Sequence, residues 1–244
     1  MTEEEYLESY DHSKYPAFSV ATDIVALAVE SKEDENYRKL PEMYLKILLI
    51  KRGEHPFKDK WALPGGFVKE EESAEETAIR ELEEETGVKN VHIEQLYTFT
   101  NPKRDPRMRV VSIGYIALMK ECSVLKPNTD AVEAKWFEIR NDKESGLVIM
   151  LDGKRYDDHL AFDHKEVIEM ALARLRNKVE YTDIAMNLLP ELFTLNQMQS
   201  VYEIILGESL FVANFRRKTA HLVEETEEYL EGKGHRPSRL YKRK

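Results

Sequence analysis

Short runs of aliphatic and β-branched residues alternate with polar segments along roughly the first 140 positions. Runs of this length and composition are typical of strands rather than helices. A shorter apolar piece over 61–68 is interrupted by Pro64, Gly65 and Gly66, which predicts a strand, a tight turn and a second strand. The other predicted strands cover 17–29, 44–51, 91–99, 109–119 and 132–139.

One helix is clearly marked among these strands, from Ser73 to Thr86. Ser73 and Glu76 have the spacing of a capping box, in which each side chain binds the other residue's backbone N–H. Gly87 follows directly, where a glycine commonly ends a helix. We therefore expect a mixed α/β domain with this helix packed on its sheet.

The second part of the chain has helical spacing instead. Apolar residues recur at helical intervals over 162–180, and Thr194 and Gln197 form a second capping box. The helix that this box opens is stopped by Gly207, and a further helix is predicted over 210–221. We predict two domains, a mixed α/β domain over 1–150 and a helical domain over 151–244, which suits a length of 244 residues.

The charge is unevenly distributed. The net charge is −10, yet the segment 232–244 contains six Lys and Arg residues and no acid. A basic tip on an acidic chain indicates a separate site for a polyanion. The single cysteine, Cys122, the absence of an apolar run of about 20 residues and the lack of a secretory signal favour the cytoplasm, with no membrane contact.

A long motif spans the predicted helix: G-x5-E-x7-R-E-U-x-E-E-x-G-U, where U is aliphatic. Ordinary residue usage would produce this motif by chance in about one chain in a million. Its members are Gly66, Glu72, Arg80, Glu81, Leu82, Glu84, Glu85, Gly87 and Val88.

Three acids of this motif point to a metal ion. At 100° per residue, Glu81, Glu84 and Glu85 fall within an arc of about 100°. Carboxylates that close repel one another unless a cation lies between them, and Mg²⁺ or Mn²⁺ prefers such oxygen ligands. Arg80 is four residues before Glu84 and can orient its carboxylate. The surrounding acids are better interpreted as a solvated surface: Glu70, Glu71, Glu75, Glu76 and Glu83.

On these residues, the segment 17–140 resembles a Nudix hydrolase domain, the MutT-type α/β/α sandwich with a mixed sheet. The resemblance implies metal-dependent hydrolysis of a nucleoside diphosphate linked to another group. It implies Glu81, Arg80 and Glu84 as catalytic residues, with Glu81 as a candidate base. It also implies that Glu72 supports the acids and that a later acid, Asp130 or Glu133, assists. The implied metal ligands are Glu81, Glu84, Glu85 and the Gly66 carbonyl.

Substrate-binding residues are less strongly indicated. Lys51, Arg52 and Arg107 suit phosphates or ribose, because an acidic metal site needs cations nearby; exposed surface positions explain them equally well. Phe18 is a candidate for the base pocket by similarity to proteins that handle ADP-ribose. The remaining residues considered have structural interpretations: Trp61 and Trp136 as core, His159 and His164 as surface.

The helix pair near the end has helix-turn-helix geometry. The glycine- and proline-containing basic segment after it suits a hairpin wing. A common helix pair with a solvated basic tail, or a polybasic membrane contact, would give similar patterns. The residues able to contact DNA are Asn214, Arg216, Arg217 and Lys218 on the second helix, and Arg236 and Arg239 in the hairpin.

The whole chain resembles the Nudix-related transcriptional regulators of the NrtR type. The resemblance implies a homodimer that senses an ADP-ribose-like metabolite and controls its own binding to operator DNA. Two alternatives remain: a plain pyrophosphohydrolase whose helical domain only dimerises, and a sensor without catalysis. The segments that carry the resemblance are 51–68, 97–107, 180–195 and 214–218.

Overall fold

A computed structural model describes most of the chain. No helix in the described part is long and apolar enough to cross a membrane. Two positions considered above, Asp130 and Arg236, lie outside the described residues. The described residues are 2–32, 41–89, 91–122, 125, 131–142, 145–230 and 237–244.

The larger sheet is mixed, as predicted. Its central strands β1 and β5 run parallel, and the other paired neighbours run antiparallel. The strand order is β4-β5-β1-β2-β6-β7-β8, and β3 pairs with β2. The strands are β1 (Ser19–Lys32), β2 (Glu42–Arg52), β3 (Trp61–Ala62), β4 (Ile93–Phe99), β5 (Val110–Met119), β6 (Ala131–Asp142), β7 (Gly146–Leu151) and β8 (Lys154–Arg155).

The four predicted helices begin and end close to their predicted limits, whereas the helix Glu3–Ser9 was not predicted. The Ser73 hydroxyl accepts the Glu76 N–H at 3.2 Å, and the Thr194 hydroxyl accepts the Gln197 N–H at 3.2 Å, so both capping boxes form. Gly87 and Gly207 end their helices in the left-handed conformation, with φ of 79° and 72°. The helices are α1 (Glu3–Ser9), α2 (Ala74–Thr86), α3 (His164–Lys178), α4 (Leu195–Leu206) and α5 (Val212–Thr219).

Alternate residues of β1 divide the core into two layers. Ala26 packs in a cluster with Leu82 of α2 on one face of the sheet. Leu27 packs on the other face in a cluster with Ile168 of α3 and Val201 of α4. Because neighbouring strand residues point to opposite faces, this alternation builds the expected α/β/α sandwich.

The predicted wing is an antiparallel hairpin of β9 (Val223–Leu230) and β10 (Ser238–Arg243). Its first strand is acidic rather than basic, with Glu at 224, 225, 227 and 228. The hairpin joins the rest of the chain through paired backbone bonds between Phe193 and Tyr241.

The chain on either side of the predicted division at residue 150 forms strands that the sequence did not indicate. Strands β7 and β8 extend the large sheet to Arg155, and α3 shares one core with that sheet and with α4. The division at residue 150 stays a prediction.

Candidate functional site

Two glycines after β3 bring the backbone against the motif acids of α2. The Gly65 N–H donates to Glu85 Oε2 at 2.9 Å. A Cβ on Gly65 would lie 2.0 Å from the Thr22 carbonyl oxygen, and one on Gly66 would lie 2.3 Å from Glu81 Oε1. At Gly65 the obstacle is backbone, so only glycine fits there; at Gly66, the first residue of the motif, a side chain would displace the Glu81 carboxylate.

Arg80 gathers the other motif acids around its guanidinium. It donates to both carboxylate oxygens of Glu72 at 2.7 and 2.9 Å, to Glu81 at 2.7 Å and to Glu84 at 3.1 Å. The predicted contact between Arg80 and Glu84 is therefore confirmed. Hydrogen bonding from Arg80 lowers the pKa of Glu72 to about 2, and the acids in turn raise the pKa of Arg80. The arginine fixes carboxylates that would otherwise repel one another.

A cavity of about 340 Å³ opens beside this cluster. Among the predicted metal ligands, Glu81, Glu85 and Gly66 line it, whereas Glu84 does not appear in its wall and is partly exposed. Two other cavities of about 540 Å³ contain no motif carboxylate. The smaller cavity is thus the one in which the motif can act on a ligand.

Two of the four predicted substrate-binding residues, Arg52 and Arg107, line the same cavity. Lys51 and Phe18 do not. The Lys51 ammonium is 3.9 Å from Asp59, and the half-exposed ring of Phe18 lies 5.4 Å from the guanidinium carbon of Arg109.

Arg52 and Arg107 lie close together on an aromatic floor. Their guanidinium carbons are 4.9 and 6.0 Å from the ring centre of Phe162, and that of Arg107 is 5.4 Å from the ring centre of Phe67. Burial, followed by the nearby charge of Arg107, lowers the pKa of Arg52. Arg107 also donates to both carboxylate oxygens of Asp105 at 3.1 and 2.8 Å, and Asp105 lines the same cavity. The positive charge of Arg52 beside that of Arg107 still favours a further anion in this part of the cavity.

A buried ion-pair network in the wall of the cavity was missed in the sequence. Arg104 donates to both oxygens of Asp163 at 2.7 and 2.9 Å and to Asp23 at 2.7 Å. His164 Nε2 lies 3.2 Å from Asp23, and the Ser112 hydroxyl donates to Asp23 at 2.5 Å. The surface role predicted for His164 is wrong, because this residue is buried; His159 is exposed as expected.

The protonation of this network follows from its hydrogen bonds. Burial alone would raise the pKa of Asp23, but donors from His164, Arg104 and Ser112 outweigh burial and hold it well below its usual range. His164 Nδ1 accepts the Leu63 N–H at 2.9 Å, so a neutral imidazole carries its proton on Nε2. The Nε2–H then donates a hydrogen bond to Asp23.

The acids around the cavity suit a hard divalent cation. No group of three or more His, Cys, Asp and Glu side chains is gathered as a metal site among the residues that the structure describes. Glu81 and Glu85 nevertheless flank the side-chain-free Gly65–Gly66 segment, and carboxylate oxygens are the ligands that Mg²⁺ prefers. The donor set therefore fits the ion, although Arg80 holds two of the acids.

The other candidates have structural roles. Glu133 lies 2.5 Å from the ammonium of Lys135. Trp61 is buried with its ring 4.7 Å from that of Phe137, and Trp136 packs at the edge of the α2 layer, as predicted.

The candidate DNA-binding surface is the exposed side of α5. Its cations Arg216, Arg217 and Lys218 and its Asn214 are all exposed. Phe211, directly before α5, is 82% exposed. In the hairpin, Arg239 forms an ion pair with Glu225 and a hydrogen bond with the Tyr229 hydroxyl.

Comparisons with known proteins agree with this two-part organisation. Residues 33–141 match the NUDIX domain family, and 185–242 match the NrtR DNA-binding winged helix domain. The ADPR responsive transcriptional repressor NtrR of Acinetobacter baylyi is 35% identical over 99% of this chain and 88% of its own length. A MutT/nudix family protein from Enterococcus faecalis superposes with a TM-score of 0.82 at 31% identity, covering 100% of this chain and 94% of the other. Shewanella oneidensis NrtR, complexed with a 27mer DNA, superposes with a TM-score of 0.67 at 33% identity, covering 92% and 93%.

Proposed function

Since this chain belongs to the NrtR family of Nudix-domain regulators, we propose that it is a metabolite-responsive transcriptional regulator. In this proposal, the domain over 1–150 binds and hydrolyses a nucleoside diphosphate derivative such as ADP-ribose. The domain over 151–244 binds operator DNA in the cytoplasm as part of a homodimer. The relative from Acinetobacter baylyi, an ADPR responsive repressor, supports this choice of ligand.

One observation carries the ligand assignment: cations and acids line a single cavity. Arg52 and Arg107 line the same space as Glu81 and Glu85. Arg52 Nε already donates to the Pro56 carbonyl and Arg107 already pairs with Asp105, so a diphosphate binds through the remaining N–H donors of the two guanidinium groups. Glu81 and Glu85 line the same space, and a divalent cation between these acids and the diphosphate would offset their repulsion and tighten binding.

The metal of this proposal is Mg²⁺ or Mn²⁺, held by Glu81, Glu84 and Glu85 with the Gly66 carbonyl. The Gly66 carbonyl accepts the Thr22 N–H at 2.9 Å and keeps a second lone pair. When bound, the metal neutralises the diphosphate and activates a water.

The chain's own residues position the reaction. Arg80 orients the carboxylates of Glu81 and Glu84, and Glu72 keeps Arg80 in place through two hydrogen bonds. Glu81 lies beside the cavity and accepts a proton from the attacking water as general base.

The DNA assignment is supported by the composition of the exposed α5 surface. Arg216, Arg217 and Lys218 supply phosphate contacts, and Asn214 offers hydrogen bonds to base edges. The exposed ring of Phe211 suits a thymine methyl group. Arg239 in the hairpin is a secondary contact, since it must first leave Glu225 and Tyr229. Arg236, which lies outside the described residues, is proposed as a contact from the sequence alone.

Hydrolysis is tested with ADP-ribose and Mg²⁺ by measuring the release of AMP and ribose 5-phosphate. Glu84→Gln removes a proposed metal ligand and should lower turnover at least about 100-fold. Glu83→Gln is the matched control, because Glu83 pairs with Lys89 on the outer side of the same helix. Unchanged turnover in Glu84→Gln would refute the site. No turnover in the unmodified chain, with ADP-ribose still bound, would leave a sensor without catalysis.

DNA binding is tested by a gel shift with the fragment upstream of the chain's own gene. Retarded migration at low salt supports the regulator. Hydrolysis without any shift at low salt would instead support a plain pyrophosphohydrolase whose second domain dimerises.

A further inference from the structure

Phe162 joins the ligand cavity to the first turn of α3. Its ring lines the cavity and lies against the guanidinium groups of Arg52 and Arg107. Its backbone has φ of +50°, in the left-handed region. A bulky side chain in this region is strained and persists only where its surroundings hold it. The two cation–π contacts are part of what holds Phe162 there.

The two residues after Phe162 are fixed to the wall of the cavity. Asp163 precedes α3, and its backbone carbonyl accepts the Glu166 N–H at 2.9 Å. Its carboxylate accepts hydrogen bonds from Nε and Nη2 of Arg104, and Nη2 also donates to Asp23 of β1. His164, the first residue of α3, binds Asp23 and the Leu63 N–H. The position of the first turn of α3 is therefore tied by hydrogen bonds to residues in the wall of the cavity.

The far end of α3 contacts the winged helix. Leu172 and Leu175 of α3 share a core with Val201 and Ile205 of α4. Arg176 Nε donates to the Ile205 carbonyl oxygen at 3.3 Å. Because closely packed helices shift as units, a displacement of α3 is transmitted to α4.

We propose that Phe162 is a positioning residue that couples occupancy of the cavity to the affinity of the winged helix for DNA. The proposal rests on the proposed function and names its regulatory path. An anionic ligand draws Arg52 and Arg107 towards its phosphates and away from the Phe162 ring. The loss of these contacts lets the Phe162 backbone leave its left-handed conformation, and Asp163 moves with the start of α3. By linkage, DNA binding changes the ligand affinity by the same factor.

The experiment measures the dissociation constant for upstream DNA with and without saturating ADP-ribose, in EDTA so that hydrolysis does not occur. The quantity compared is the ratio of the two constants. Each variant is first titrated to find its own saturating concentration, so that a changed ligand affinity alone does not alter the ratio. Thermal denaturation checks that each variant is folded.

The unmodified chain should give a ratio at least about fivefold away from one. Phe162→Leu, which removes the ring, should bring the ratio within about twofold of one. Phe162→Tyr, which keeps an aromatic ring, should give the same ratio as the unmodified chain. Arg104→Lys, which loses the pair of hydrogen bonds to the Asp163 carboxylate, should also bring the ratio closer to one. Lys165→Ala is the control: Lys165 directly follows His164 in the first turn of α3, but it is exposed, pairs with Asp158 and does not line the cavity, so the ratio should persist.

The outcomes separate the two claims. An unchanged ratio in folded Phe162→Leu would overturn the coupling role and leave the proposed function intact. A ratio of one in the unmodified chain, with DNA and ADP-ribose both bound, would overturn the regulatory part of the proposed function and the coupling role together.

Discussion

The Cα of Gly66 lies directly against the carboxylate of Glu81, so closely that a methyl group there would be 2.3 Å from Oε1. The contact involves the flexible end of a side chain. The neighbouring Gly65 is different, because a methyl group there would lie 2.0 Å from the backbone oxygen of Thr22, at a φ of +153°. Adjacent glycines therefore have separate roles: Gly66 makes room for a functional carboxylate, and Gly65 makes room for the sheet.

Substituting the two glycines should separate activity from stability. Gly66→Ala should push the Glu81 carboxylate aside and lower ADP-ribose turnover at least about 10-fold, with the melting temperature almost unchanged. Gly65→Ala should destabilise the fold by more than about 2 kcal/mol, or at least about 4 °C in Tm. Turnover and thermal denaturation of both variants check this. Equal Tm losses would contradict the assignment of separate roles.

Arg52 and Lys51 are neighbours on β2, but only Arg52 lines the cavity. Arg52→Ala should weaken ADP-ribose binding about 10- to 100-fold, because it removes a charge-assisted hydrogen bond to phosphate. Lys51→Ala should stay within about twofold of the unmodified chain. Calorimetric titration in EDTA measures both. Comparable losses would mean that the ligand lies nearer to Lys51 than proposed.

The Asp23–Arg104 pair should make a large contribution to stability. Asp23→Asn leaves a buried arginine with one fewer charged partner and should cost about 3–5 kcal/mol near neutral pH. The pKa of Asp23 is depressed in the folded chain, so its contribution is complete above about pH 4, the usual carboxyl range. It is lost as the pH falls below that range.

Denaturant unfolding from pH 3 to pH 8 checks this dependence. The difference between Asp23→Asn and the unmodified chain should be constant from pH 5 to pH 8 and should shrink towards pH 3. A difference that grows on acidification would show that Asp23 is not the charged partner of Arg104.

Arg216 and Arg217 should act on DNA mainly through phosphates. Each alanine substitution should weaken binding and lower the slope of log affinity against log salt by about one. Lys165→Ala on α3 is the control, because Lys165 lies outside the winged helix and within 3.8 Å of Asp158. Fluorescence anisotropy over a salt series measures the slopes. An unchanged slope in Arg216→Ala and Arg217→Ala would remove α5 from the interface.

The helix limits could be predicted because their signals are local. Ser73 and Gly87, like Thr194 and Gly207, fix the helix ends through bonds to residues at most four positions away. The pairing of Arg80 with Glu84 followed from helical spacing alone. The apolar run over 17–29 likewise predicted a strand, which the structure shows as β1.

The network of Asp23, Arg104, Asp163 and His164 could not be predicted, because its members are up to 141 positions apart and meet only in the folded chain. Their separate signals, a charged loop and a histidine in a polar segment, are also typical of a surface. Phe18 and Lys51 were chosen by similarity and by charge, neither of which indicates whether a side chain points into a cavity. Strands β7 and β8 were missed because Gly146 and Gly153, on either side of the predicted division at residue 150, form turns at positive φ, and such glycines are also typical of a linker between domains.

The central claim is that ADP-ribose in the Arg52–Glu81 cavity controls DNA binding by the winged helix. It is tested most directly by the anisotropy of labelled upstream DNA bound to the full chain as ADP-ribose is added in EDTA. The account predicts that saturating ADP-ribose changes the DNA dissociation constant at least about fivefold, and that Arg52→Ala requires more ligand for the same change. A DNA dissociation constant that stays the same at ADP-ribose concentrations shown to fill the cavity would contradict it.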